Sequence, residues 1–334
     1  MMTTINDIAK IANVSKSTVS KVLNNYPGVK DETKKNVLKV MKQNNYWPNS
    51  IARSLSTNKS YTVGIFDPTR LNNFFFREVF GGIESYLGNK GYDVVYFTNK
   101  RWEKSWVDFS YKEKCENRNV DGALMMGFGK VEPTQFDNLL ESEIPSVFID
   151  LDVVGSKTSY VTSDNVKGAK TAIEYLYELG HRKVAMIKGP MGFKLANDRF
   201  VGYQTTLQKL GMEYNPDWVF SGEYGMKTGY NAMMKIIKME NQPTAIFAED
   251  IFAVGAIRAI RDNGLSVPEN YSVIGFDNIE LGQHYQLTTI SQDQLGLGES
   301  AAKLLLKIIN KKNFSPILLP TRLIKRETCA YIEK

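Results

Sequence analysis

Thr4-Ile5-Asn6-Asp7-Ile8-Ala9-Lys10-Ile11-Ala12-Asn13-Val14-Ser15-Lys16-Ser17-Thr18-Val19-Ser20-Lys21-Val22-Leu23-Asn24 holds two short helical patterns separated by a break. Thr4 followed by Asp7 has the spacing of a capping box, which sets a helix start near Ile5. Ile5, Ile8, Ala9 and Ala12 then recur at helical spacing and form one apolar face. Asn13-Val14-Ser15 interrupts that pattern, and Ser15 can cap a second helix. In the second helix Val19, Val22 and Leu23 face inward, which leaves Lys16, Ser17, Ser20 and Lys21 facing out. Two short helices joined by a turn of about three residues make a helix-turn-helix. Asp31 and Glu32 open a third helix, favourably placed against its dipole. Val37, Leu38 and Met41 are the positions expected to close a three-helix core, with Lys35, Lys39 and Lys42 on a solvated face.

Charge supports a polyanion partner for this segment. Residues 1–60 carry ten basic and three acidic side chains, a net +7, whereas the whole 334-residue chain is only +6. A compact basic module on a near-neutral body is the footprint of a nucleic-acid binder. Small hydroxyls and lysines near a helix N-terminus suit base edges and phosphates in a major groove. Length, with 43% apolar and 23% charged residues, fits a globular chain of about two domains. No apolar run is long enough to span a bilayer, and the chain start has no secretory leader pattern. The expected location is cytoplasmic, with no membrane partner. Two cysteines, Cys115 and Cys329, and two histidines, His181 and His284, leave little for a disulfide framework, a metal centre or His-based catalysis. Gly127-Phe128-Gly129-Lys130 lacks phosphate-loop spacing, and no serine elbow or H-E-x-x-H pattern occurs. No catalytic residue, metal or cofactor is therefore expected, and an enzyme is disfavoured.

From residue 61 onward, strand-like apolar runs alternate with amphipathic helical patterns. Runs at 61–66, 92–97, 121–126 and 146–149 form one series, and runs at 183–188, 218–221, 244–248 and 272–276 form a second. Each series predicts a parallel sheet covered by helices on both faces. The expected fold is α/β, with two doubly wound parallel-sheet lobes like those of periplasmic binding proteins, preceded by a small all-α domain. Crossings between lobes are expected near Thr162, Ile290 and Leu319. Leu295, Ala301, Ala302, Leu304, Leu305, Ile308 and Ile309 predict the apolar stripe of a late helix. Open α/β sheets bind ligands at the carboxyl ends of their strands. Asp150 follows Val147-Phe148-Ile149 and Asp277 follows a second such run, so both should lie at strand ends. Arg199 opens a helix after the loop 189–198. A guanidinium fork and carboxylates beside aromatic faces suit neutral polyhydroxyl ligands. A structural salt bridge is the alternative for Arg199 with Asp277, and core packing is the alternative for each aromatic. His181, after Gly180 at a helix C-terminus, is placed for a partly positive ring in a structural role.

Thr4–Ala9, Val14–Asn24 and the run Tyr46-Trp47-Pro48-Asn49-Ser50-Ile51-Ala52-Arg53-Ser54-Leu55 together resemble the headpiece of the LacI/GalR family of bacterial transcription regulators. The body is similar too, at Asn73-Phe74-Phe75-Phe76, Asp121-Gly122, Leu179-Gly180-His181-Arg182, Arg199-Phe200-Val201-Gly202-Tyr203 and Ser272-Val273-Ile274-Gly275-Phe276-Asp277. The resemblance implies a DNA-binding headpiece at 1–48, a hinge helix and linker at 49–60, and an effector-binding, dimerising core at 61–334. Within that core one lobe spans about 61–162 and 291–319, the other about 163–290 and 320–334. It implies a homodimer on double-stranded, palindromic operator DNA. Lys16, Ser17 and Lys21 would read bases, while Thr4, Ser15, Thr18, Ser20 and Asn24 would hold phosphates or the groove rim. Pro48 can set up a short helix that Asn49 or Ser50 caps, with Arg53 as a groove contact and Leu55 as a minor-groove wedge. Positions matching Asp150, Arg199 and Asp277 contact the effector in the family, with Phe75, Phe76, Phe193 and Tyr224 as walls. Glu249-Asp250 stands where many relatives have Asn-Asp, so Glu249 is an added carboxylate able to accept from sugar hydroxyls or attract an amine. The implied effector is a sugar or sugar derivative, with a purine, nucleoside or phosphorylated metabolite as the alternative. Other readings are a sugar-binding protein without a regulatory role, which would need an export signal, or a sugar-processing enzyme.

Overall fold

The computed structural model describes residues 3–23, 27–46, 59–68, 73–97, 110–129 and 136–332, in two compact units that divide after Tyr61. The first unit contains α1 (Ile5–Ile11), α2 (Lys16–Leu23) and α3 (Asp31–Gln43). Both halves of the capping box at α1 form: Thr4 N donates to Asp7 Oδ2 over 2.9 Å, and Asp7 N donates to Thr4 Oγ1 over 3.4 Å. At α2, Ser15 Oγ accepts from Thr18 N at 3.1 Å. Ile8, Ala9, Ala12, Val19, Val22, Val37, Val40 and Met41 make the core, with Leu23 packed at its margin. Leu38 is a correction: it is 46% exposed, and Val40 takes the place expected for it. Positions 37, 40 and 41 share one helix face at i, i+3 and i+4, whereas 38 is turned away by about 100°.

The second unit holds two sheets. β1 (Thr62–Phe66), β2 (Asp93–Phe97), β3 (Gly122–Met125), β4 (Ser146–Ile149), β5 (Thr158–Ser163) and β11 (Ile317–Leu319) form the first, in the order β11-β5-β4-β3-β1-β2, all parallel. The second contains β6 (Val184–Lys188), β7 (Val219–Ser221), β8 (Ala245–Ala248), β9 (Ser272–Asp277), β10 (Thr288–Ser291) and β12 (Arg322–Ile324), in the order β12-β10-β9-β8-β6-β7. Its edge strand β12 runs antiparallel to β10, a departure from the all-parallel expectation. Backbone alternation sends successive side chains to opposite faces. Ala245 and Phe247 accordingly join one core cluster and Ile246 and Ala248 the other, both beneath helices. That is why these strands read as unbroken apolar runs.

The first lobe's helices are α4 (Phe74–Asn89), α5 (Tyr111–Asn117) and α6 (Asp137–Leu140); α7 (Asn165–Glu178), α8 (Lys194–Lys209), α9 (Met226–Ile236), α10 (Asp250–Asp262) and α11 (Glu280–His284) serve the second. Helix α12 (Gln294–Ile309) follows β10 of the second sheet yet packs on α4 and the first sheet. Among the described residues the chain thus passes between lobes after β5, after β10 and between β11 and β12. Contact between α4 and α12 is backbone-close: a Cβ at Gly298 would overlap the Val79 carbonyl, and one at Gly82 the Leu295 carbonyl. Leu295 is itself a correction to the expected stripe, because its side chain is 54% exposed while Leu297, Ala301, Leu304, Leu305 and Ile308 are buried. Leu295 is the second residue of the helix, where its backbone carbonyl, and not its side chain, closes on Gly82 of α4.

His181 is also corrected. Its Nδ1 lies 2.9 Å from Thr244 Oγ1 and its Nε2 lies 3.2 Å from the Ala330 carbonyl. Burial pushes its pKa down to about 4, so the ring is neutral. A carbonyl can only accept, which places the proton on Nε2 and makes Nδ1 the acceptor from Thr244. The ring fastens the C-terminal segment to the second lobe.

Candidate functional site

The carboxyl ends of both sheets face one interlobe cavity. Each sheet reverses its strand order next to its first strand, and such switch points leave a crevice beyond the strand ends. Phe75, Phe76, Asp150, Phe193, Arg199, Tyr224, Glu249 and Asp277, all expected from sequence, line it together with Asn73, Phe128, Leu195 and Gln292. Phe75 and Phe76 sit in the first turn of α4, started by Asn73, whose Oδ1 accepts from Phe75 N at 2.9 Å. Asp150 lies one residue past β4 at φ +63°, and Asp277 ends β9 at φ +115°. Non-glycine residues rarely adopt positive φ, and such outliers persist where the surroundings hold them, often at ligand sites. Phe193 and Glu249 are the capping residues before α8 and α10.

Arg199 organises the polar floor and is 3% exposed. Its Nε donates to Asn165 Oδ1 over 2.8 Å and its Nη2 to Asp277 Oδ1 over 3.0 Å. Nη1 stands 3.2 Å from Glu249 Oε1, an ion contact whose angles do not make a hydrogen bond. The guanidinium also lies over the Phe276 ring, 4.0 Å from its centre. Asp277 Oδ1 further accepts from Gln292 Nε2 at 2.7 Å. Asp150 Oδ1 accepts from Thr162 Oγ1 at 2.9 Å, while its Oδ2 is buried with no hydrogen-bond partner. Burial raises the Asp150 carboxyl to about 6 and Glu249 to about 7, the nearby Arg199 only partly offsetting desolvation. Asp277 is raised by burial as well, against the pull of Arg199. The ring pair Phe75–Phe76 meets edge to face at 5.2 Å, and Tyr224 stacks on Phe252 at 5.6 Å. The arrangement can hold a polar ligand between aromatic faces and carboxylate oxygens.

Asp250 belongs to the framework. Its Oδ1 accepts from Thr289 Oγ1 at 2.6 Å and its Oδ2 from Ile279 N at 2.9 Å, tying α10 to β10 and to the start of α11. Sequence reasoning missed Gln292, Leu195, Phe128 and Asn165. Gln292 follows a four-residue strand, and Asn165 acts through Arg199, so neither announces itself by pattern.

In the three-helix unit, Ser15, Lys16, Ser17 and Lys21 are exposed, and Thr18 and Ser20 are half-buried. Ser15 Oγ lies 2.7 Å from Ser17 Oγ and 2.8 Å from Thr18 Oγ1, and Thr4 Oγ1 donates to Asp7 Oδ2 over 2.7 Å, so these hydroxyls already serve their helix caps. Asn24, Asn49, Arg53 and Leu55 lie outside the described residues. Among the described residues no cluster of His, Cys, Asp or Glu could hold a metal ion, and no helix is long and apolar enough to cross a membrane.

Residues 4–49 match the model of bacterial regulatory proteins of the lacI family, and residues 173–329 match a periplasmic binding protein-like domain. The HTH-type transcriptional repressor PurR of Vibrio campbellii is 34% identical over 315 residues, covering 93% of this chain and 93% of its own. A Lac repressor dimer bound to operator and the anti-inducer ONPF superposes with a TM-score of 0.83 at 25% identity, over 99% of this chain and 100% of that one. A complex of the transcriptional regulator CelR with cellobiose gives 0.71 at 27% identity, over 98% of this chain and 99% of that one. A headpiece core of three helices, two sheets of one topology around a polar cleft, and these likenesses over nearly the full length place the chain in the LacI family of bacterial transcription regulators, DNA-binding repressors that are not enzymes.

Proposed function

We propose that this regulator works in the cytoplasm as a homodimer on a palindromic operator and responds to a sugar or sugar derivative held in the interlobe cleft. The observation that carries the DNA side is the split of α2 into two faces: Val19 and Val22 are buried, while Lys16, Ser17 and Lys21 point to solvent. On this reading Lys16, Ser17 and Lys21 meet base edges, and Thr18, Ser20 and Asn24 approach phosphates alongside Thr4 and Ser15, whose caps orient the helix starts. On the same reading Asn49, Arg53 and Leu55 contribute minor-groove contacts. Phosphate contacts fix register while base contacts give sequence preference. The DNA-bound and cellobiose-bound relatives support both halves of the reading.

Selection of genomic fragments by the purified protein, at salt high enough to suppress counterion-driven binding, should recover a palindrome. Lys16→Ala and Lys21→Ala should each reduce discrimination between that site and random DNA by about 1–3 kcal/mol. Unchanged discrimination in both variants would remove α2 as the reading element. A panel of sugars added to the same selection should change operator retention, and Asp277→Ala should abolish that response. A coupling of about 1–3 kcal/mol between the two sites is the usual size.

A further inference from the structure

Among the described residues the cleft is rich in acceptors and poor in free positive charge. Asp150, Glu249 and Asp277, among the described residues, line it against one guanidinium, that of Arg199, a formal excess of negative charge in a buried space. Each nitrogen of Arg199 already faces an acceptor, on Asn165, Glu249 or Asp277. Two buried acceptors in the same cavity, Asp150 Oδ2 and Gln292 Oε1, lack a hydrogen bond, and Glu249 Oε1 has the ion contact with Arg199. Buried acceptors without donors are costly, and the cost is relieved when a ligand brings the donors.

We propose that the effector carries a protonated amine, as an amino sugar does, and that Asp150 and Glu249 hold this ammonium. The inference rests on reading the cleft as the effector site. Neutral hydroxyls can donate to these oxygens, but they leave the charge excess uncompensated. An ammonium brings three donors and the missing positive charge together. Phe75, Phe76 and Tyr224 add ring faces, which attract a cation as well as a sugar ring. Among the described residues an anionic ligand, such as a uronate or a sugar phosphate, would meet like charges and no unengaged guanidinium nitrogen. Burial raises the carboxyls of Glu249 and Asp150, and a cation placed beside them would favour their charged forms.

The test is calorimetric titration of the full-length protein with glucosamine, N-acetylglucosamine, glucose and glucuronate at matched millimolar concentrations. Glucosamine should bind about tenfold more tightly than glucose or the neutral amide, with glucuronate weakest. Glu249→Gln and Asp150→Asn should each narrow the glucosamine-over-glucose affinity ratio from about tenfold to about twofold with an unchanged circular dichroism spectrum, a readout that separates loss of charge from loss of fold. Glucose or glucuronate binding as well as glucosamine, or no heat from glucosamine, overturns the proposal. If neutral or anionic sugars bind and Asp277→Ala abolishes that binding, the cleft remains the effector site and only the amine is refuted. If no sugar binds and Asp277→Ala alters no response on DNA, the cleft reading falls too.

Discussion

At the scale of single residues, His181 shows how burial sets protonation and protonation sets stability. Its ring is 3% exposed, bridges Thr244 and Ala330, and has a pKa lowered from 6.5 to about 4, with Arg182 as the neighbouring charge. In the unfolded chain the imidazole takes a proton as pH falls through 6.5, and in the folded chain it resists until about 4. The stability it contributes is therefore intact above 6.5 and lost progressively toward 4. Urea unfolding at pH 7.5 and pH 5 should show the native chain losing about 2 kcal/mol more on acidification than His181→Gln. Equal losses would mean the ring titrates normally. From sequence this position was legible as structural but wrong in charge, because a helix C-terminus suggests a cation and only the packed neighbours reveal the desolvation that opposes one. Asp150 and Asp277 were legible for the opposite reason: each ends an apolar run, and a strand's end is where the chain turns toward the crevice. Asn165 and Gln292 were not, since a lone amide carries no periodicity and takes its role from the Arg199 and Asp277 groups it touches.

Among elements, the pairing of α4 with α12 joins segments more than two hundred residues apart in sequence and depends on glycine at the contact. Gly298→Ala would press a methyl onto the Val79 carbonyl, and backbone cannot yield as a side-chain tip can. Such overpacking costs about 1–3 kcal/mol, so this variant should unfold at lower denaturant with an unchanged slope. An unaltered midpoint would mean the helices separate without penalty. Strands of the two sheet centres could be read from sequence because burial on both faces makes them continuous apolar runs. β5 could not, since Ser159 and Ser163 are buried in a polar-looking Thr-Ser-Tyr-Val-Thr-Ser stretch. β11 and β12 are three residues each and only partly buried, too short for alternation to show. Leu38 went astray because apolar type was read as inward direction, and helical register decides direction.

Across the body, the lobes meet over the cleft, among the described residues, through exposed or half-exposed polar pairs. Lys194 N donates to the Gly129 carbonyl over 2.9 Å, Lys194 Nζ lies 3.7 Å from Asp152 Oδ2, and Arg77 Nη2 lies 3.0 Å from Glu280 Oε2. Exposed ion pairs of this kind contribute about 0–1 kcal/mol each. Pairs this weak leave a bound ligand room to bias how the lobes sit. Gly129 is the tightest point, because a Cβ there would collide with the Phe193 ring of the opposite lobe. Gly129→Ala should leave the circular dichroism spectrum intact yet enlarge the radius of gyration in small-angle scattering. An unchanged radius would show that Phe193 simply swings aside.

The passage of the chain between lobes at three adjacent places has a mechanical meaning. Side-by-side straps resist shear, twist and separation but bend together easily, as a leaf spring does. The only soft coordinate they leave is the opening angle between the lobes. Whatever chemistry occupies the cleft, its influence beyond the cleft is then compressed into one number. Ligands of unlike structure become equivalent to the rest of the molecule whenever they set the same angle.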